Sequence, residues 1–348
     1  MSTRDLRKAV RRLVIYLLWI SGITRWARAR LRKENAVIVL MLHRVLSVTE
    51  QAATNSEAAM IIGDRTYEGM IAYLRRHYRF VDVCDPRVQF AGDRLGIALT
   101  FDDGWADNFA PLMRHRRESN VPATVFISPA LAEKIGPFWP ERIRQILGKQ
   151  ADETELHRVV ESLKLLSPAE RHARIEQLAR TKGVPGDDGG VDRTMSWQQL
   201  DELHSAGIGL QSHTMDHEIL TSLNDSELID HELLAGKKQM AGRWGSCDIL
   251  AYPNGGHDDR VVERTRQAGY LRAFTVKPGI WTPDTDPLRI PRLNITDGRV
   301  AFDGEFSPAA FEFSVVLRAF RAWRAERRSA ESLPERTHMK VSTQQVGD

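Results

Sequence analysis

Short apolar runs alternate with helical segments along most of this chain, and this alternation restricts the fold more than any other feature of the sequence. The runs that predict strands lie at residues 36–42, 80–83, 96–101, 123–127, 208–212, 249–252, 271–276 and 288–295. The segments between most of them show the apolar spacing of a helix or the polarity of a loop. We therefore predict an α/β domain with a mainly parallel sheet, which could close into a barrel.

The composition excludes several other classes of protein. Hydrophobic residues make up 42% and charged residues 27% of the 348 residues, which is incompatible with disorder along most of the chain. The two cysteines, Cys84 and Cys247, are too few for a disulfide scaffold or a cysteine-rich zinc site. The length suffices for one large domain with additional segments, or for two modest domains.

Positive charge is concentrated at the start of the chain. Residues 1–33 contain ten arginine and lysine residues and one acidic residue, whereas the formal net charge of the whole chain is only +3. The rest of the chain is therefore mildly acidic. We expect no nucleic-acid partner, because a domain that binds nucleic acid usually carries a basic surface on its body.

The strongest apolar run, residues 13–23, is too short to cross a membrane, because a spanning helix needs about twenty residues. We predict instead that residues 1–35 form a basic amphipathic leader, whose apolar face enters the membrane surface while its arginines contact anionic head groups. The arginines that follow the run favour the cytoplasmic face of the inner membrane, and a periplasmic location stays open. The alternatives are a cleaved signal peptide and a helix that packs on the body of the protein.

Three other segments differ from the α/β domain, which we place at residues 36–306. Residues 138–190 lack strand signals and predict a helical insertion that ends in a loop. Residues 307–330 predict a second basic amphipathic helix, which either docks on the domain or adds another membrane contact. The tail at residues 331–348 is predicted to be disordered.

Two polar motifs follow predicted strands, at the positions where α/β domains carry their catalytic residues. Asp102 and Asp103 follow the third predicted strand in Thr-Phe-Asp-Asp-Gly, and His213 and His217 follow the fifth in Ser-His-Thr-Met-Asp-His. Taken alone, the first motif also fits a surface turn, and the second fits one capping and one surface histidine. Together they offer one carboxylate and two imidazoles, a ligand set typical of a catalytic divalent metal, and leave a second carboxylate to act as a base on water.

In combination, these motifs resemble the polysaccharide deacetylases of the NodB-homology type, carbohydrate esterase family 4. The resemblance covers about residues 36–296 and implies a (β/α) barrel-like domain, distorted or seven-stranded. By this resemblance, Asp102 is the general base, and the divalent metal is bound by Asp103, His213 and His217. We favour Zn²⁺ as the metal, although such ligand sets accept other divalent ions.

The same resemblance implies two further catalytic positions. The third family motif is recognisable at residues 251–255, where the backbone N–H of Asn254 would help to form an oxyanion hole. Family members often carry an aromatic residue at the position of Asn254. His43, at the end of the leading strand, matches the acid histidine of a subgroup typified by deacetylases of poly-N-acetylglucosamine, so we predict that it protonates the leaving amine.

Five residues near these motifs are candidates for substrate contacts. Arg289 and Arg292 could orient the base carboxylate, because pairing between arginine and carboxylate is bidentate and directional. Trp105 could stack on a sugar ring, Trp281 could line the acetyl pocket, and Tyr252 belongs to the third motif. The alternatives are core packing for the aromatic rings and surface roles for the arginines.

The predicted activity is metal-dependent hydrolysis of N-acetyl groups from amino sugars of a bacterial polysaccharide or lipid-linked glycan, with release of acetate. The expected partners are therefore an N-acetylated glycan substrate and, through the leader, a membrane surface. Two alternatives remain: another amide hydrolase of the same fold, such as a deformylase or a cyclic-ureide hydrolase, and a catalytically inactive glycan-binding assembly protein. The complete set of catalytic residues argues against the inactive protein.

Overall fold

A parallel sheet forms the centre of the computed structural model, which describes residues 3–134, 137–148, 151–184 and 190–331. The strands are β1 (Val37–Leu42), β2 (Arg44–Leu46), β3 (Ile61–Gly63), β4 (Arg79–Phe80), β5 (Gly96–Phe101), β6 (Thr124–Ile127), β7 (Gly209–Ser212), β8 (Ile249–Ala251), β9 (Arg272–Phe274), β10 (Leu293–Asn294), β11 (Ala301–Phe302) and β12 (Glu305–Phe306). Every residue of β1 and β5 is buried, since both faces of the sheet are covered, and their uninterrupted apolar sequences reflect this.

The sheet curves until its two ends approach each other. Its strand order is β10-β1-β5-β6-β7-β8-β9, with β4 also paired to β5, and each of these pairs is parallel. Ile290 bridges to Phe274 in β9, and three residues later Leu293 pairs with Leu40 in β1. The predicted α/β fold, a distorted (β/α) barrel, is therefore confirmed.

The last predicted strand, residues 288–295, is much shorter in the structure. Only Leu293 and Asn294 form a strand there, and Ile290 makes an isolated bridge. Pro291 explains the interruption, because proline has no backbone N–H to donate to a neighbouring strand.

Helices cover the outside of the barrel. They are α1 (Thr3–Ile20), α2 (Ile23–Lys33), α3 (Val48–Ala53), α4 (Asp64–His77), α5 (Phe109–Ser119), α6 (Pro129–Lys134), α7 (Trp139–Leu147), α8 (Glu153–Lys164), α9 (Pro168–Lys182), α10 (Trp197–Ser205), α11 (Ser226–Trp244), α12 (Asp259–Gln267), α13 (Asp297–Val300), α14 (Pro308–Phe311) and α15 (Arg318–Glu331), with a π-helical turn at Glu312–Leu317. Side-chain caps fix where several of them begin; the Ser196 hydroxyl, for example, accepts a hydrogen bond from the backbone N–H of Gln199.

The N-terminal leader forms two helices that differ in how far they join the core. In α2, Ala27 and Leu31 are fully buried, and Arg28 forms an ion pair with the buried Glu312 at 2.7 Å. In α1, Ile15 is buried, but most of the other large apolar side chains remain exposed. None of the described helices combines the length and the apolar character needed to cross a bilayer.

The helical insertion and the C-terminal segment are held in the structure by different sets of apolar contacts. Helices α7, α8 and α9 share a small hydrophobic cluster of their own. The segment from α14 to α15 packs on the domain through buried side chains that include Phe311, Val316 and Ala319. The predicted disordered tail lies outside the described residues, except for Glu331 at the end of α15.

We expect α2 to contribute to the stability of the whole domain. Leu31→Ala should lower the free energy of unfolding by about 2–5 kcal/mol, because it leaves a cavity in the core. Leu13→Ala is the matched control, since Leu13 is 59% exposed and its loss should change stability by no more than about 0.5 kcal/mol. Urea unfolding of both variants measures the difference, and equal effects would show that α2 is not part of the folded core.

Candidate active site

The register of the first strands brings two of the predicted catalytic residues side by side. Leu42 of β1 pairs with Phe101 of β5, and the backbone N–H of Asp102 donates to the Leu42 carbonyl at 2.9 Å. His43 and Asp102 therefore leave neighbouring strands at the same edge of the sheet. Because the carboxyl ends of parallel strands meet at one edge, the residues that follow β7 and β8 lie at this edge as well.

A cavity of about 450 Å³ opens at this edge. It is lined by all the residues to which the sequence assigned catalytic or metal-binding roles: His43, Asp102, Asp103, His213, His217 and Asn254. Of the five candidates for substrate contacts, only Arg292 lines the cavity.

Three side chains in the cavity could hold a divalent metal ion. Nε2 of His213 and Nε2 of His217 lie 3.4 and 3.2 Å from Oδ1 of Asp103, and the ligand atoms of the three residues lie within 4.8 Å of one another. Nδ1 of His213 lies 2.7 Å from the Ala251 carbonyl, which requires a proton on Nδ1 and leaves Nε2 free to bind a metal. One carboxylate and two imidazoles match the donor set of catalytic zinc and related sites.

The Asp103 carboxylate is ionised and held in one orientation. Burial alone would raise the pKa of Asp103, but the hydrogen bonds and charges of His213 and His217 hold it well below its usual range. Its second oxygen, Oδ2, accepts a hydrogen bond from the indole N–H of Trp105 at 2.9 Å. A metal ligand needs both properties, since only the carboxylate form binds and a fixed rotamer avoids an entropic cost on binding.

The backbone is strained where these side chains enter the cavity. Four non-glycine residues of the site have left-handed φ angles: Asp103 (73°), Thr214 (66°), His217 (62°) and Asn254 (54°). Only three other non-glycine residues in the described ranges share this conformation. Such strain is common at functional sites, where the surrounding structure holds a side chain in a conformation that the backbone would not otherwise adopt.

A buried ion pair separates the role of Asp102 from that of Asp103. Arg292 donates two hydrogen bonds to Asp102, at 2.6 Å to Oδ1 and 2.8 Å to Oδ2. Burial alone would raise the pKa of Asp102, but Arg292, together with the charges of His213 and His43, outweighs burial and lowers the pKa below its usual value. Asp102 is therefore a carboxylate that faces the cavity without needing a metal ion to neutralise it.

His43 lines the same cavity, and one of its ring nitrogens has no hydrogen-bond partner among the described residues. That nitrogen is Nδ1, which is buried. Burial lowers the pKa of His43, and the neighbouring carboxylates of Asp103 and Asp102 partly oppose this effect. An imidazolium in such a position is a stronger acid than a histidine in water and gives up its proton more readily.

The side chains of the three aromatic candidates are buried and do not line the cavity, so the structure does not support them as substrate contacts. Trp105 and Tyr252 are fully buried, and Trp281 is only 4% exposed. The Tyr252 hydroxyl donates to the Leu288 carbonyl at 3.0 Å, and the Trp281 ring packs on Phe274 inside the sheet. Core packing, the alternative reading of the aromatic residues, describes all three.

Trp105 nevertheless contributes to the site, because its indole N–H holds the Asp103 carboxylate. The guanidinium of Arg44 lies 4.3 Å from its ring centroid and forms buried ion pairs with Asp107 at 2.9 Å and Asp192 at 2.5 Å. This network positions the indole that hydrogen-bonds Asp103.

The other arginine candidate, Arg289, does not line the cavity. It pairs with Asp259 and Asp286 instead, so the structure does not support the prediction that it orients the base carboxylate.

The helical insertion contributes residues to the cavity wall that are not among the predicted site residues. Glu141 of α7 is 3% exposed, and burial together with the charge of Asp103 raises its pKa to about 7. The Phe138 ring lies edge-on to His217 at 4.8 Å between centroids. The position of the insertion could have indicated this, because a segment that follows a strand lies over the catalytic edge of a parallel barrel.

Comparisons with known proteins agree with this geometry. A family model described as "Polysaccharide deacetylase" matches residues 92–273. A poly-β-1,6-N-acetyl-D-glucosamine N-deacetylase of Staphylococcus epidermidis is 29% identical over 112 residues, which cover 30% of this chain and 39% of that protein. A second curated relative, from Bacillus subtilis, is 26% identical over 102 residues, or 29% of this chain and 36% of its own length.

Solved structures share the fold at lower sequence identity. A Streptococcus pyogenes deacetylase in complex with acetate superimposes with a TM-score of 0.53 at 16% identity, covering 80% of this chain and 98% of that one. A deacetylase domain from Bordetella bronchiseptica gives a TM-score of 0.51 at 18% identity, covering 75% and 96%. At these sequence identities, the comparison shows only that the folds are similar.

The ligand assignment predicts that the wild-type protein holds about one divalent ion per chain. His213→Ala should lose this ion, because two ligands hold a metal much less well than three. His231→Ala, which alters an imidazole that is 58% exposed, should keep it. Elemental analysis of the purified proteins decides, and equal metal content in the wild type and His213→Ala would contradict the assignment.

Proposed function

The chain belongs to the polysaccharide deacetylase family, and we propose that it removes N-acetyl groups from amino sugars of a bacterial polysaccharide or lipid-linked glycan by metal-dependent hydrolysis. The main observation in support of this proposal is that two adjacent carboxylates, Asp102 and Asp103, have different partners in the cavity. Asp103 faces two imidazoles, whereas Asp102 is paired with Arg292 and still faces the cavity. In metal-dependent hydrolysis of an amide, one carboxylate can serve as a metal ligand while the other acts as the base on water.

A divalent ion bound by Asp103, His213 and His217 would act as a Lewis acid toward the acetyl carbonyl and the attacking water. We favour Zn²⁺, because two of the three ligands are imidazoles. Asp102 takes the proton from the water, because its low pKa keeps it in the carboxylate form, which can accept a proton. Arg292 holds the carboxylate in a fixed plane throughout, because both of its oxygens are bound to the same guanidinium.

The remaining steps belong to Asn254 and His43. The backbone N–H of Asn254 would stabilise the charge that develops on the acetyl oxygen. His43 would donate a proton to the leaving nitrogen, because an amine cannot depart as an unprotonated anion. The products are acetate and a free amino sugar.

We propose in addition that the leader attaches the protein to an anionic membrane surface, at the cytoplasmic face of the inner membrane. Nine of its large apolar side chains are between 43% and 63% exposed: Leu6, Val10, Leu13, Val14, Tyr16, Leu17, Ile20, Ile23 and Trp26. Most recur at helical spacing along α1, so that they form an apolar stripe on a strongly basic helix. This combination suits a layer of acyl chains beneath anionic head groups.

The proposed chemistry predicts the behaviour of Asp102→Asn. This variant should retain its metal but lose turnover by roughly 10²–10⁴-fold, the usual effect of a missing general base. The assay is acetate release from N-acetylglucosamine oligomers by the metal-loaded protein, together with elemental analysis. Loss of the metal would make Asp102 a ligand instead.

Two further outcomes of the same assay would overturn the proposed activity. Turnover of N-formyl or cyclic ureide substrates in place of N-acetyl substrates would identify another amide hydrolase. No turnover of any of these substrates by the metal-loaded wild type would favour an inactive glycan-binding protein.

The membrane proposal predicts that Leu13→Ser combined with Leu17→Ser weakens binding to vesicles of anionic phospholipid by at least about tenfold, because two apolar side chains no longer enter the bilayer. We choose substitutions over deletion because α2 belongs to the core. Leu165→Ser, at a leucine that is 87% exposed in the insertion, is the control and should bind as the wild type does. Higher salt should weaken binding of all three proteins, since it screens the basic residues. Vesicle binding that is the same in both variants would contradict the proposal.

A further inference from the structure

Two arginines in the wall of the catalytic cavity have no role in the proposed chemistry. Arg299 lies in α13, Arg318 is the first residue of α15, and both line the cavity that contains the metal-ligand set. Neither guanidinium forms an ion pair or a hydrogen bond with any described residue. They are also close enough for the charge of one to affect the other: burial, followed by the charge of Arg318, lowers the pKa of Arg299.

The other long basic side chains of the cavity are all neutralised. Arg292 pairs with Asp102, Arg144 with Glu57, and Lys164 with Glu161 outside the cavity. The remaining acids of the cavity are Asp103, which faces the two imidazoles, and Glu141. Two unpaired cations in the wall of one cavity repel each other, and a bound anion would reduce this repulsion.

We propose that Arg299 and Arg318 bind a phosphate group attached to the amino sugar whose N-acetyl group is hydrolysed in the same cavity. This inference rests on the proposed deacetylase function and specifies its substrate class. Two guanidiniums in one cavity wall suit a phosphate, which has several acceptor oxygens and can carry two charges. A neutral oligosaccharide offers nothing that would compensate the two charges.

The position of the two arginines relative to the leader agrees with a phosphorylated substrate. The turn that follows Arg299 contacts α1: Arg12 pairs with Asp303 at 2.5 Å, and the rings of Tyr16 and Phe302 lie 5.7 Å apart. The turn that precedes Arg318 contacts α2 through the ion pair of Glu312. The two arginines thus belong to the C-terminal segments against which α1 and α2 pack. This arrangement suits a sugar phosphate that is linked to a lipid in the membrane. A soluble sugar phosphate presents the same chemistry.

The test compares two substrates that differ only in the phosphate. We would measure kcat/KM for acetate release from N-acetylglucosamine 1-phosphate and from the methyl glycoside of N-acetylglucosamine, with the wild type and with Arg299→Gln/Arg318→Gln. The wild type should prefer the phosphorylated substrate, and the double variant should lose this preference by about 10- to 100-fold, mainly through a higher KM. Arg318→Lys in place of Arg318→Gln should restore part of it. Arg321→Gln, an exposed arginine on the same helix, should leave the ratio of the two kcat/KM values unchanged.

A binding measurement separates failure of this inference from failure of the proposed function. Calorimetric titration with N-acetylglucosamine 1-phosphate needs no turnover, and the double variant should bind at least about tenfold more weakly than the wild type. Equal binding and an unchanged substrate ratio, with acetate still released, would overturn the phosphate site alone. Weakened binding without release of acetate from any substrate would overturn the deacetylase function and leave the phosphate site standing. A polyprenyl diphosphate derivative of the same sugar distinguishes a lipid-linked from a soluble source: it should have the higher kcat/KM if the phosphate belongs to a lipid.

Discussion

The buried pair between Arg292 and Asp102 joins the segment that closes the curved sheet to the carboxyl end of β5, and it holds Asp102 in its ionised form. Both side chains are almost completely removed from water, so the pair is tolerable only because its hydrogen bonds are satisfied. Arg292 also donates to the Thr275 carbonyl and to the Thr100 hydroxyl, at 3.0 and 3.2 Å. The pair forms because the segment with Ile290 and Leu293 closes the curved sheet beside β1. The segment that closes the barrel therefore also supplies the positive charge that lowers the pKa of Asp102.

This arrangement solves the difficulty of two adjacent carboxylates in a buried site. Asp102 and Asp103 would repel each other and raise each other's pKa if they faced the same environment. The left-handed backbone at Asp103 turns its side chain toward the two histidines, while Asp102 remains against Arg292. Each carboxylate then has its own positive partner, so one can bind a metal while the other accepts a proton.

The segments outside the barrel determine what can reach this chemistry. The helical insertion supplies one wall of the cavity, including Glu141 and Phe138, whereas α13 and α15 supply two unpaired arginines to another. The leader packs on the same C-terminal elements, and its exposed apolar stripe lies on a helix that contacts the turn after Arg299. We propose that the residues at the strand ends, the two unpaired arginines and a leader that binds the membrane together select a phosphorylated, membrane-linked amino sugar.

Local sequence was sufficient for the alternation of strands and helices and for placing Asp102, Asp103, His213 and His217 directly after strands, whereas His43 was selected through the family resemblance. Periodicity and strand ends are properties of short segments, so they can be read without knowledge of the fold. The aromatic candidates failed because burial depends on what packs around a ring, and Trp105 hydrogen-bonds Asp103 from within the core instead of facing a sugar. Only the tertiary structure could choose Arg292 over Arg289, expose the apolar face of α1, and bring Arg299 and Arg318 into one cavity with His43. Each of these contacts joins residues that are far apart in the sequence. A local sequence pattern cannot predict them, because they depend on how the curved sheet closes.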